Sequence, residues 1–284
     1  SRRMIQRGNA AYQDGKYPRA IELYEAALAQ EPHLAIGWYN LGLTYLAVYS
    51  PGLKTPENGT YAQRAIDAFD KYMTAFPEDI IARDLMVDTY INSGRHEGAI
   101  EYFKKELARK PGSVEVLGQL AKVASLAGDY DEALSWNLKR VELETTDDAK
   151  ADVYFAIGGM TWNRLYTRPD IAGLERVKLA DQGLGALARA ARLRPTHQDT
   201  FTFLNLVYRE RAKSTLNSLI GAADLASAEL YRKNATAMAG DTAKTPAPKS
   251  PAPTPGEPID RAGGATARDP APPGRDVSAT KEGN

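Results

Sequence analysis

The chain has 284 residues, 43% of them hydrophobic, enough for one long domain or two compact ones with a buried core. Lysine plus arginine and aspartate plus glutamate both number 36, so no global field draws in nucleic acid or an acidic membrane surface. The absence of cysteine excludes disulfides, thiolate metal sites and cysteine nucleophiles, and no apolar run approaches the roughly 20 residues that a bilayer-spanning helix needs.

Along the chain, residues 15–32, GKYPRAIELYEAALAQEP, place Gly15, Ala20, Tyr24 and Pro32 in an order that returns in residues 94–111, GRHEGAIEYFKKELARKP, as Gly94, Ala99, Phe103 and Pro111. Aligning on this order gives units of about 34 residues, the period of a helix-turn-helix repeat. Repeat 1 covers 1–34, with Gly8, Ala11 and Ala27 also in register. Repeat 2, 35–79, opens on Trp38, Leu41, Gly42 and Tyr45, is interrupted around SPGLKTPENGT, and resumes with Ala65, Phe69, Tyr72 and Pro77. Repeat 3 covers 80–113, and repeat 4, 114–147, carries Leu117, Leu120, Ala121, Gly128, Tyr130 and Ala133. Repeat 5, 151–197, is again interrupted, between Tyr154, Ile157 and Gly158 and the later Gly183, Leu187, Ala190 and Pro195. Repeat 6, 198–238, pairs DTFTFLNLVYRERAK with a weaker second or capping helix, AADLASAELYRKNATAMA.

Each position in this order has a physical reason. Gly8, Gly42 and Ala20 are small where two helices cross closely, since a larger side chain would push the axes past the usual 8–10 Å or so. Tyr24, Phe69 and Phe103 follow the small alanine by one helical turn and fill the space between successive repeats. Gly15, Gly94 and Gly128 suit the left-handed conformation at a helix C-terminus, and Pro32, Pro77, Pro111 and Pro195 stop the second helix of each pair. From about 239 the composition turns to TAKTPAPKSPAPTPGEP and similar runs. Residues 239–284 cannot bury enough apolar surface to offset chain entropy, and a disordered tail with polyproline II character is expected.

Nothing in the sequence assembles a catalytic centre. His33, His96 and His197 fall in or beside turns without companions at metal-ligand spacing, and are expected to be exposed turn residues. There is no nucleophile elbow, phosphate loop or dinucleotide fingerprint, so no enzyme, cofactor or metal is expected. Asp84 and Asp88 project from one face of a helix, which suits recognition or solubility better than acid-base chemistry in the absence of a neighbouring base. The triplets NGT at 58–60 and NAT at 234–236 match the glycosylation pattern, and both are read as accidental, Asn58-Gly59 being also a good turn.

The repeat order over residues 1–238 resembles the tetratricopeptide repeat family. The resemblance implies an all-α, right-handed α-solenoid of helix-turn-helix repeats followed by the disordered C-terminal tail. It also implies that the first helix of each repeat lines a concave surface that binds a peptide or helix segment of a protein partner. Carrying the family's inward positions over gives Asn9 and Tyr12 in repeat 1, Tyr39 and Leu43 in repeat 2, and Asp84, Asp88 and Asn92 in repeat 3. Repeat 4 gives Lys122, repeat 5 Phe155, Trp162 and Asn163, and repeat 6 Arg209. Family members that grip a terminal carboxylate use lysine and arginine where this chain has Ile5, Ile81 and Leu85; Asn9 and Asn40 fit, but a buried carboxylate would go uncompensated. The two interruptions lie on one edge of such a solenoid, either as a second binding edge or as longer helices joined by a longer loop. The expected function is a non-catalytic scaffold in a multiprotein complex, with a pilotin-like assembly factor or chaperone as the alternative. Richness in alanine, arginine and glycine, the proline-rich tail and the start at Ser1 lead to an expected periplasmic or envelope location, with the cytoplasm as the alternative. A leader or lipid anchor upstream of Ser1 belongs to the first of these.

Overall fold

A computed structural model describes residues 1–214 and 218–244, with side chains as far as Ala239. Twelve helices and no strand are present among the described residues. They fall into two compact units, the first ending at Arg95 and the second beginning at His96. The first unit contains α1 (Arg2–Gln13), α2 (Tyr17–Gln30), α3 (Ala35–Val48), α4 (Pro56–Ala75) and α5 (Ile80–Asn92). The second contains α6 (His96–Arg109), α7 (Val114–Ala127), α8 (Tyr130–Leu143), α9 (Asp147–Thr167), α10 (Gly173–Leu193), α11 (Gln198–Ala212) and α12 (Ser218–Lys244). Within each unit neighbours in sequence are neighbours in space: α1 packs on α2, α2 on α3, α3 on α4 and α4 on α5. The same holds from α6 through α12, with α9 also packing on α11.

The punctuation read from the sequence is what ends and crosses these helices. Gly15, Gly94 and Gly128 have φ of 71°, 74° and 83°, the left-handed region that a side chain disfavours. At Gly8 a Cβ would stand 2.6 Å from the Tyr24 ring, and at Gly42 2.9 Å from the Phe69 ring. Tyr24 and Phe69 are themselves buried, so helix and aromatic ring could not both keep their places if either glycine carried a side chain. Helix starts are fixed by side chains: Asp79 accepts from the amides of Ile81 and Ala82 at 3.0 and 3.1 Å, and Ser113, Asp129 and Thr146 cap α7, α8 and α9.

The two interruptions prove to be longer helices joined by longer loops: α4 has 20 residues, α9 and α10 have 21 each, and the loops are residues 49–55 and 168–172. Each loop is held by one buried polar side chain from the first turn of the helix that follows. In residues 49–55 this is Asn58, whose Oδ1 accepts from the Ser50 amide at 2.8 Å while Nδ2 donates to the Ser50 and Leu53 carbonyls, both at 2.8 Å. That amide is buried and fully engaged, which rules Asn58 out as a glycosylation acceptor in the folded chain. In residues 168–172 the staple is Arg176, whose Nε donates to the Ile171 carbonyl at 2.7 Å and whose Nη2 donates to those of Leu165 and Arg168 at 3.1 and 3.2 Å. Asn58→Ala would orphan the Ser50 amide and the Leu53 carbonyl, the Ser50 carbonyl keeping the Leu53 amide at 3.2 Å, and is expected to cost the first unit about 1–3 kcal/mol. Urea denaturation followed by circular dichroism measures this, and a change below about 0.5 kcal/mol would mean that the loop finds other partners.

The last helix carries on through Lys244, so the expected tail boundary at 239 falls inside α12. Residues 245–284, predicted to be disordered, lie outside the described residues.

Candidate protein-binding surface

In the first unit the positions expected to bind a partner come from α1, α3 and α5. Asn9 Oδ1 accepts from the Tyr24 hydroxyl at 2.7 Å and from Asn40 Nδ2 at 2.9 Å, so this side chain ties α1 to α2 and α3. The ring of Tyr12 lies edge-on to Tyr17 at 5.4 Å, and that of Tyr39 lies 6.0 Å from Phe69 and 5.0 Å from Tyr72. Tyr12, Tyr39 and Leu43 are all half-buried, offering one face while packing with the other. On α5, by contrast, Asp84, Asp88 and Asn92 are exposed at four-residue spacing, hence on one helical face. Asp84 takes an ion pair from Arg83 at 3.2 Å, which at this exposure contributes little to stability.

Beside these carboxylates is an apolar surface that the sequence reading did not single out. Phe76, Ile80 and Ile81 are 51%, 60% and 59% exposed around the α4–α5 turn. The Phe76 ring lies 5.1 Å from Tyr72, which in turn lies against Tyr39, so an aromatic run extends from α3 to the α4–α5 turn, and the exposed Ile80 and Ile81 follow at the start of α5. The signal was the Ile80-Ile81 pair straight after the Pro77 turn, at first-helix positions where the core needs only one of every three or four residues. The Tyr72 hydroxyl donates to Asp79 Oδ2 at 2.8 Å. Burial, that hydrogen bond and the Asp79 charge push the Tyr72 phenol well above its ordinary pKa; burial first, then Asp79, does the same for Tyr39. Both phenols remain neutral across the physiological range, and the charged groups beside them on α5 are the aspartates and the Arg83 paired with Asp84.

In the second unit Phe155, Trp162 and Asn163 share one face of α9 with Gly159 and Tyr166, at spacings of three and four. Phe155 meets His197 at 4.9 Å and Phe203 at 5.3 Å; Trp162 meets Phe203 at 5.6 Å and stacks on Tyr166 at 5.2 Å. Phe155 and Trp162 are half-buried against the α9–α11 core, Asn163 is exposed, and Tyr166 is 62% exposed. Lys122 is exposed on α7. Arg209 is exposed on α11, where Nε donates to Asn205 Oδ1 at 2.9 Å and the guanidinium faces Glu229 at 4.0 Å. Of the three histidines expected to be exposed turn residues, His33 is exposed, His96 is half-buried at the start of α6, and so is His197. It precedes α11, Nδ1 lies 2.8 Å from Thr200 Oγ1, and the Phe155 ring covers it. Among the described residues no cluster of three or more histidine and carboxylate side chains could hold a metal ion, and no helix is long and apolar enough to cross a membrane.

Two segments match models of known families: residues 8–48 match "TPR repeat" and residues 90–151 match "Tetratricopeptide repeat". Tetratricopeptide repeat protein 8 of Caenorhabditis elegans is 30% identical over an alignment that takes in 40% of this chain and 25% of that protein, so the chain spans about a quarter of this relative's length. Among solved structures, the C-terminal part of a TPR repeat-containing protein from Cytophaga hutchinsonii is similar at 12% identity, with a TM-score of 0.49 over 84% of this chain and 80% of that one. A TPR repeats protein from Bacteroides fragilis is similar at 17% identity, with a TM-score of 0.46 over 72% of this chain and 96% of that one.

Proposed function

Since the chain is a protein of tetratricopeptide repeats, we propose that it is a non-catalytic scaffold whose first-helix faces hold a segment of a protein partner within a multiprotein complex of the bacterial envelope. The observation that carries this reading is the patch of Tyr39, Tyr72, Phe76, Ile80 and Ile81 beside Asp84 and Asp88. Exposed aromatic and aliphatic side chains grouped around one turn are costly to leave in water and are the usual mark of a recognition surface. The neighbouring carboxylates select a segment with apolar side chains and basic character, because opposite charge at the rim steers encounter and penalises acidic competitors. The envelope location rests on composition alone.

Changing Asp84 and Asp88 together to lysine tests the surface without touching the core. Two attractive pairs become repulsive, which at partly exposed positions weakens partner affinity by roughly tenfold. Stability should stay within about 0.5 kcal/mol of wild type. Crosslinking affinity purification with quantitative mass spectrometry, from cells carrying either form, reads the partner; binding by purified components then reads the affinity. Unchanged affinity in a fully helical double variant would remove this face from consideration.

A further inference from the structure

We propose that the aromatic strip on α9 is a docking groove for the chain's own proline-rich run, which begins at Pro246. Phe155, Gly159, Trp162 and Tyr166 follow one another along α9, with Phe203 of α11 set between Phe155 and Trp162. At Gly159 a Cβ would sit in van der Waals contact with the edge of the Phe203 ring, at 3.7 Å, so this glycine leaves a methyl-sized recess beside Phe203 between two half-exposed aromatic side chains. From Phe155 to Tyr166 the strip is about 16 Å long at 1.5 Å per residue. Flat aromatic faces alternating with a recess, and flanked by indole N–H and phenol O–H donors, match a polyproline II segment. Its prolines present apolar ring faces, and its carbonyls are all free to accept.

The occupant follows from where the described chain stops. α12 runs antiparallel to α11: Asp224 pairs with Arg211, Tyr231 stacks on Tyr208, and the Tyr231 ring reaches Phe201 near the start of α11. The end of α12 at Lys244 therefore projects past the N-terminal end of α11, roughly 10 Å beyond it at helical rise. That is the end of the unit at which His197 covers Phe155, so the chain leaves α12 at the same end as the start of the strip. The sequence that follows is TPAPKSPAPTPGEP, residues 245–258. At about 3.1 Å per residue this run can span on the order of 40 Å, enough to turn back, cross from α12 and lie along 16 Å or so of α9. Joined to the same chain, the run faces the groove at an effective concentration near the millimolar range, so modest intrinsic affinity fills it. The proposal takes the groove to be occupied by the chain itself, and it stands independently of the patch in the first unit.

The test uses the full chain labelled with 5-fluorotryptophan. Its fluorine spectrum carries one resonance for each of Trp38, Trp136 and Trp162, assigned by Trp38→Phe and Trp136→Phe so that Trp162 is never altered. Replacing Pro246, Pro248, Pro251, Pro253 and Pro255 together by serine removes the polyproline II bias while keeping the tail length. The expected result is a shift of the Trp162 resonance alone, independent of protein concentration, and reversed by a synthetic peptide of residues 245–258. A Trp162 resonance that the five substitutions leave unmoved overturns the proposal, as does a shift confined to Trp38 or Trp136. A shift that fades on dilution overturns it in favour of the tail of a second copy.

Discussion

Arg176→Ala is expected to destabilise the second unit by about 3–5 kcal/mol, the loss typical of breaking a buried ion pair by removing one partner. Arg176 and Glu210 are 3% and 5% exposed, with Nη1 3.0 Å from Glu210 Oε2. The same guanidinium satisfies the carbonyls of Leu165, Arg168 and Ile171 and makes a longer bond at 3.3 Å to that of Glu210. Alanine takes the guanidinium donor from the carbonyls of Leu165 and Ile171, while that of Arg168 keeps the Ile171 amide at 3.2 Å and that of Glu210 the Lys213 amide at 3.3 Å; the Glu210 carboxylate is left with Lys213 as its remaining cation, at 2.7 Å. If the effect is the orphaned charge rather than lost volume, Arg176→Met combined with Glu210→Gln should be milder than Arg176→Ala, because no unpaired charge stays buried. Urea unfolding read by the fluorescence of Trp136 and Trp162, both in this unit, measures each variant. A loss below 1 kcal/mol for Arg176→Ala would show that the site hydrates instead.

Gly158→Ala carries the second large effect, and its sign runs against helix propensity. Alanine is the better helix former by about 1 kcal/mol, yet its methyl would stand 2.3 Å from Cγ of Leu187, with both Cδ atoms within 2.9 Å. Leu187 is fully buried between α9, α10 and α11, so it has nowhere to move. Overpacking of this kind costs about 1–3 kcal/mol, which outweighs the propensity gain or at least cancels it. Leu187→Ala alone should cost about 2–5 kcal/mol by leaving a cavity. The double variant Gly158→Ala with Leu187→Ala should be more stable than the sum of the two by at least about 1 kcal/mol, since the added methyl fills part of that cavity. Additive losses would mean that α9 and α10 separate rather than clash.

The same two sites show what could and could not be read in advance. Gly158 stood in repeat register with Gly8 and Gly42, and close helix crossings leave a periodic mark because every hairpin needs one. Arg176 and Glu210 left none. They are single charged residues 34 positions apart, each in a stretch that reads as an ordinary polar helix face, and only the packing of α10 on α11 brings them together. The exposed carboxylates on α5 were legible because a polar face has the helical period, whereas the apolar patch beside them left only the Ile80-Ile81 pair as a trace. Phe76, Ile80 and Ile81 have the composition of core residues, and sequence alone cannot say that the core is already complete without them. Asn9, expected to face a ligand, also gives its acceptor oxygen to Tyr24 and Asn40, since an inward position near the hairpin seam has neighbours within reach.

The order in which helices touch has a consequence for how the molecule comes into being. Within each unit every helix packs on the one made just before it, and α9 reaches forward only as far as α11. No segment has to wait for a distant stretch of chain before its apolar face is covered, so loop-closure entropy stays small at each step. A chain wired in this way can fold hairpin by hairpin as it leaves the ribosome, each new pair settling on a surface already in place. The α9–α10 pair, with 21 residues in each helix, is a long step of this kind, as is the 15-residue α11 with the 27-residue α12. Until α10 has been synthesised as far as Leu187, the crossing at Gly158 is an open slot, which makes this hairpin a point where a nascent chain needs protection from the wrong neighbour.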